Sequence, residues 1–292
     1  MNSSFTPLAN RGALEVAGAD RVAFLQGLVS NDVAKAAAGA PVYAALLTAQ
    51  GKYLHDFFVV ALGDALYLDG ERARLGDLQR RLSLYKLRSK VTLTDASARF
   101  AIAAAWSDDA VAKLGLAPGT AKPFAGGIAY ADPRLAELGA RFLIPTGREN
   151  EIAAAGFTRA DSAAYDRHRL ALGVPDGSRD LEIEKSILLE NGFEELNGVD
   201  FAKGCYMGQE LTARTKYRAL IKKRLMPVKV EGPLPAPGTP VIHNGEEVGE
   251  IRSGADGAAL AMLKLDALTG KLSAGSAKLT PQPPKWMKLA ND

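Results

Sequence analysis

Cysteine is almost absent: the 292-residue chain has one, Cys205. A single thiol cannot close an internal disulfide, which fits a reducing compartment such as the cytoplasm. Nor can it hold an iron–sulfur cluster alone, since such clusters take about four ligands. No apolar run approaches the length of a membrane span. The first residues, Met1-Asn2-Ser3-Ser4-Phe5, have neither a charged-then-apolar leader pattern nor an Arg-rich transit pattern. No GxxxxGK[ST] and no strand–GxGxxG–helix occurs, so nucleotide-binding α/β readings lack support. The formal net charge of +3 is too small to argue nucleic-acid binding by itself. Against these absences, 47% hydrophobic and 24% charged residues describe an ordinary soluble composition. The length suits one large or two to three small domains.

Hydrophobic periodicity places the elements. Asp20 is positioned to cap a helix whose apolar face is Val22, Leu25, Leu28 and Val29. Tyr43–Thr48 and Tyr53–Leu62, joined by Ala49-Gln50-Gly51-Lys52, read as a β-hairpin continued by Ala65–Leu68. Glu71–Leu87 reads as an amphipathic helix with Leu75, Leu78, Leu82 and Tyr85 on one stripe. Lys90–Thr94, Arg99–Ala105 and Ala136–Ile144 read as strands, with short helices at Asp108–Leu116 and Glu149–Ala155. Asp161 or Ser162 caps a helix through Leu172, stopped by Gly173 and Pro175. After a proline cluster, Val241–Val248 forms a hairpin on an Asn-Gly turn, within an all-β tail built like a small barrel. Strand pairs followed by helices argue an α+β class with antiparallel sheets. The expected divisions are 1–145, an N-terminal α+β part, 146–225, a second α+β part, and 226–292, the barrel. Trp286 is placed to anchor the tail against the body.

Two places invite chemistry. In Leu54-His55-Asp56-Phe57-Phe58 a carboxylate stands among large apolar residues, costly if buried unpaired. Alternation puts it either toward water or toward a site, with His55 on the opposite face. The second place is Lys203-Gly204-Cys205-Tyr206-Met207-Gly208-Gln209-Glu210. Two glycines punctuate a loop just ahead of a helix in which Glu210 and Arg214 make an i, i+4 pair. A helix N-terminus and the nearby Lys203 both favour thiolate at Cys205. A lone cysteine is often a small buried hydrophobe, but Lys, Gly, Gln and Glu are poor core material. Arg214–Arg224 adds Arg214, Lys216, Arg218, Lys222, Lys223 and Arg224 without an acid: an exposed edge, an anion-capture strip or an RNA contact. With few stacking aromatics, RNA ranks last.

Lys203–Glu210 resembles the KGCYxGQE motif of the YgfZ-type folate-binding proteins, relatives of the glycine cleavage T-protein (aminomethyltransferase) that include mitochondrial iron–sulfur assembly factors. Leu189–Asn191 and Leu196–Phe201 resemble the family's lead-in, Leu211–Thr215 and Lys222–Leu225 its continuation, and Phe24–Val33 its FLQGLxxNDV segment. At Lys216-Tyr217-Arg218-Ala219 the chain departs from the histidines and glycine of mitochondrial-type members. The resemblance implies two α+β lobes around a central channel plus the barrel. It implies tetrahydrofolate in that channel, with Asp56 at the one-carbon end and Arg169 toward the glutamate tail. Only a thin echo of the T-protein's pterin-holding stretch occurs at Pro145–Glu149. It implies Cys205 as a nucleophile, redox group or shared cluster ligand, tuned by Lys203. Tyr206, Gln209, Glu210 and Arg214 then contact cofactor or fix the loop, and A-type carrier proteins are the partners. Membrane and nucleic acid are not among them. The expected location is cytoplasmic, or the mitochondrial matrix in a eukaryote. The alternative reading is a one-carbon transferase of T-protein type, and a third is an accessory factor for tRNA modification.

Overall fold

In the computed structural model, residues 3–218 and 221–289 are described. Ala219 and Leu220, within the basic strip, lie outside them, as do Met1 and Asn2 of the N-terminal segment read above. Two sheets pack face to face, and a closed barrel follows. The first sheet is antiparallel throughout, in the order Val42–Leu47, Tyr53–Leu62, Ala65–Glu71, Arg11–Ala17, Thr92–Asp95. Its outer face is covered by the helices Arg21–Gln26, Val33–Ala37 and Leu75–Leu84, which bury Phe24, Leu25, Val33, Leu75, Leu78 and Leu82 against Leu14, Phe57, Val59 and Leu68.

The second sheet has six strands in the order Thr158–Arg159, Ser4–Pro7, Phe100–Trp106, Ala140–Pro145, Gly127–Ala131, Ala121–Phe124. Only Ser4–Pro7 with Thr158–Arg159 is parallel. The inner faces share one core: Tyr43, Ala45, Phe58 and Val60 meet Ile102, Ala104, Tyr130 and Leu143. Strand alternation explains the partition, since Phe58 and Val60 point inward while Phe57 and Val59 point to the helices. The barrel runs Lys223–Glu231, Ala258–Lys264, Glu246–Ala255, Pro240–His243, Leu272–Ala274, Ala277–Pro281. Its Asn244-Gly245 turn has φ of 51° and 84°, the left-handed geometry that Asn-Gly supplies.

The α+β class and the terminal barrel are those the sequence implied. Several details differ. The division at 145/146 falls inside the second lobe, whose sheet continues to Thr158–Arg159 and borrows Ser4–Pro7 from the N-terminus. Residues 160–218 add helices and loops but no further strand, and the barrel strands start at Lys223. The helix expected to Leu87 ends at Leu84, and Tyr85 is exposed instead of joining Leu82 in the core. Asp20 precedes its helix without capping it, because its carboxylate accepts from Lys90 N (2.7 Å). Trp286 Nε1 donates to Leu172 O (2.7 Å), tying the tail to the end of helix Ser162–Ala171.

Candidate functional site

Three distant segments meet around Cys205. Lys203 Nζ donates to Gln26 O and Val29 O, both at 2.6 Å, at the end of helix Arg21–Gln26. Met207 N donates to Gly27 O at 3.1 Å. Gly51, in the hairpin turn, lies directly against Gly208: a Cβ on Gly51 would stand 2.6 Å from Gly208 O, and one on Gly208 would overlap Thr48 O. Both have positive φ, 82° and 79°. These two positions thus need glycine twice over, for backbone conformation and for close approach. Gln209 Oε1 accepts from Tyr206 N at 3.1 Å, and the Tyr206 ring is buried in the core between the lobes. The loop is held by each of its flanks while Cys205 itself is exposed.

Lys203 has a structural role beside the one expected of it. Its ammonium is engaged by two carbonyls and lies 5.2 Å over the Tyr206 ring, so it secures the loop. Burial pushes its pKa down to about 8, with Asp32 and Asp200 opposing. Glu210 and Arg214 are both exposed on helix Gln209–Tyr217, and no ion pair joins them among the described residues. Of the basic strip, Lys216 pairs with Glu194 (2.7 Å) over the Phe201 ring, and buried Arg224 pairs with Glu195 (2.8 Å). Arg214, Arg218, Lys222 and Lys223 remain exposed.

Asp56 lies elsewhere, on a cavity of about 540 Å³ between the lobes. The side chain is 6% exposed, and its oxygens accept from Tyr53 Oη (2.7 Å) and Tyr43 Oη (2.9 Å). Strict alternation would put Tyr53, three residues earlier, on the opposite face. The register shifts so that Leu46 pairs with His55 but Leu47 with Tyr53. This bulge turns Tyr53 toward Asp56. His55 points away and bonds Asp77 at 2.9 Å through Nε2.

The rest of the wall is dominated by arginine: Arg11, Arg134, Arg141, Arg169 and Arg179, facing Asp166 and Asp176. Arg11 and Arg141 both grip Asp69, at 2.7 and 2.6 Å. Burial works against charge on Asp69, but these two guanidinium groups outweigh it and hold the carboxyl below its usual range. Arg134 pairs with Asp132 at 2.8 Å, and the guanidinium groups of Arg11, Arg134 and Arg141 all stand around the Phe58 ring, 4.0–5.6 Å from its centre. Arg169 lines the cavity, yet it donates to Asp166, Val174 O, Asp180 and Ser253. It also rivets helix Ser162–Ala171 to the barrel strand Glu246–Ala255.

Asp56 and Arg169 thus share one cavity, while Cys205, Lys203, Tyr206, Gln209, Glu210 and Arg214 lie outside its lining. A larger cavity of about 830 Å³ lies between the two regions, bounded by Asn197, Asp200 and Phe201 ahead of the cysteine loop and by Tyr43 and Arg134 toward Asp56. Sequence reasoning passed over Arg11, Arg134, Arg141, Tyr43, Tyr53 and Tyr165. An arginine inside an apolar strand, as at Arg141 in Ala140–Pro145, was the available signal. Among the described residues, no group of three or more His, Cys, Asp or Glu side chains is arranged to hold a metal ion. Chemically, the molecule offers an accessible thiol on a fixed loop and, apart from it, a charged cavity with one buried carboxylate.

The chain is 36% identical over 283 residues to the iron-sulfur cluster assembly factor IBA57, mitochondrial, of Homo sapiens, an alignment covering 91% of this chain and 78% of that protein. The Mus musculus protein of that name is 32% identical over 308 residues, covering 97% and 85%. Residues 222–289 match the family described as CAF17, C-terminal beta-barrel domain. Among solved structures, the glycine cleavage system aminomethyltransferase T from Bartonella henselae superposes with a TM-score of 0.79 over 98% of this chain and 86% of that one. At 15% identity that likeness speaks to the fold alone.

Proposed function

This chain belongs to the family of the iron-sulfur cluster assembly factor IBA57, and from that premise we propose that it serves the assembly or repair of iron–sulfur proteins. Cys205 is the group that touches the cargo. The observation that carries this reading is an exposed thiol on a loop immobilised by the Gly51–Gly208 contact, the Lys203 bonds and the buried Tyr206 ring. Such a loop presents sulfur at low ordering cost. One thiolate supplies one ligand of the roughly four a cluster takes, so a partner or small molecule supplies the others. An A-type carrier is the partner of matching chemistry. The relatives are named mitochondrial; for this chain we propose a reducing compartment, the cytoplasm or, in a eukaryote, the matrix.

The Asp56 cavity is the proposed site for tetrahydrofolate. Its volume lies within the range of roughly 300–1,000 Å³ usual for small-molecule sites. Asp56, held by two tyrosines, accepts an N–H, and the arginine wall suits a carboxylate or carbonyl. When bound, the folate would supply a reduced nitrogen pair able to carry a one-carbon unit. The separation of Asp56 from Cys205 also favours a second reading, a one-carbon transferase that does not need the thiol. Formation of methylene-tetrahydrofolate, with release of ammonia, from an aminomethylated carrier by a Cys205→Ser variant would support it. The first reading is tested by restoring cells that lack the gene with wild type or Cys205→Ser. It expects wild type, but not the variant, to rescue cluster-dependent enzymes under oxidative stress; equal rescue would sink it.

A further inference from the structure

Every charged side chain on the wall of the Asp56 cavity is engaged within the protein. Arg11 and Arg141 hold Asp69, Arg134 holds Asp132, and Arg169 and Arg179 share Asp166. Arg179 also holds Asp176, and Asp56 takes two tyrosine hydroxyls. One buried polar atom on that wall stands apart. Tyr165 Oη, on a side chain 8% exposed, has no hydrogen-bond partner among the described residues.

The ring cannot swing to find a partner. It packs against Trp106 at 5.4 Å and His168 at 6.4 Å, and His168 is itself fixed by Glu137 O (2.8 Å). Helix Ser162–Ala171, which carries Tyr165, is riveted by Arg169. Burial pushes the Tyr165 phenol up despite the opposing charges of Arg134 and Arg141, so the hydroxyl keeps its proton at neutral pH. A donor in the field of two cations favours an acceptor oxygen over another N–H.

We propose that Tyr165 donates a hydrogen bond to a carboxylate or carbonyl oxygen of the ligand in this cavity, while N–H groups of the same molecule face Asp56. This rests on the folate reading above. It makes Tyr165 a residue that orients the ligand, with Asp56 and Tyr165 reading opposite polarities.

Tyr165→Phe deletes only the hydroxyl. Titrating 5-formyltetrahydrofolate into the full-length variant should show affinity reduced about 10- to 100-fold relative to wild type, the worth of one hydrogen bond to a charged or strongly polar acceptor. Without ligand, the variant should melt at or above the wild-type temperature, since no bond inside the protein is lost. If 4-aminobenzoylglutamate shows the same loss and a tetrahydropterin does not, the oxygen belongs to the carboxylate tail; the reverse assigns it to the pterin carbonyl. Unchanged affinity overturns the Tyr165 role alone. A ligand-free variant melting several degrees lower also overturns it, because the hydroxyl then has a structural partner. Failure of wild type to bind any of the three compounds removes the folate reading and this inference with it.

Discussion

Gly208→Ala is the sharpest perturbation of the cysteine loop. Position 208 has φ of 79°, and an added Cβ would overlap Thr48 O and stand 3.0 Å from Gly51 Cα. The left-handed backbone costs an alanine about 1–2 kcal/mol. Forcing a methyl into a filled contact adds roughly 1–3 kcal/mol. Neither neighbour can yield easily, since one is a backbone carbonyl and the other lies in a tight turn. Gly204→Ala is the matched control: φ is 93°, but nothing lies within 4 Å of its added Cβ, so only the backbone cost applies. The two variants should therefore differ by about 1–3 kcal/mol, several degrees in melting temperature for a chain of this size. Hydrogen exchange gives a local reading: the Met207 amide, bonded to Gly27 O, should lose protection in Gly208→Ala and keep it in Gly204→Ala. Gly51→Ala attacks the same contact from the other side, so the double variant should cost less than the sum. If Gly208→Ala matches Gly204→Ala in both melting and exchange, the glycine pair is not what fixes the loop.

The buried arginine wall and the first lobe make further claims. Asp69→Asn leaves Arg11 and Arg141 buried without their shared counter-charge and should cost about 3–5 kcal/mol; a thermal melt within a degree of wild type would contradict this. His55 is pushed down to about 4, first by burial and then by Arg74, with its bond to Asp77 opposing. The unfolded chain takes up a proton near its ordinary value of 6.5 and the folded one resists, so this contribution is whole above about pH 6.5. It is lost as pH falls toward 4, by up to about 3 kcal/mol. His55→Gln should flatten that part of a urea-stability profile; an unchanged slope between pH 7 and 4 would count against it.

Local rules carried the sequence a long way where local chemistry decides the outcome. The Asn244-Gly245 hairpin, the cap of Asp161 on Ala164 N at 2.6 Å, and the leucines of helix Leu75–Leu84 follow from turn, cap and period alone. The hairpin Ala121–Phe124 with Gly127–Ala131 went unread because its turn is Ala125-Gly126, which carries no such signal although both residues have positive φ. Nor does any local rule reveal that Gly51 and Gly208 touch, 157 positions apart, or that a bulge turns Tyr53 toward Asp56. Lys203 shows the same limit: its place in the sequence gives no sign that its ammonium also bonds Gln26 O and Val29 O, more than 170 positions away. The exposed cysteine loop was legible because its residue types make poor core. The arginine-lined cavity was not, because the ion pair at its centre, Arg141–Asp69, joins strands of both lobes.

The most direct test of Cys205 as the group that receives a cluster is anaerobic reconstitution with iron and sulfide, followed by visible absorption. Wild type mixed with an A-type carrier should develop a cluster spectrum distinct from that of the carrier alone, and Cys205→Ser in the same mixture should not. Identical spectra with wild type, with Cys205→Ser and with the carrier alone would contradict the account.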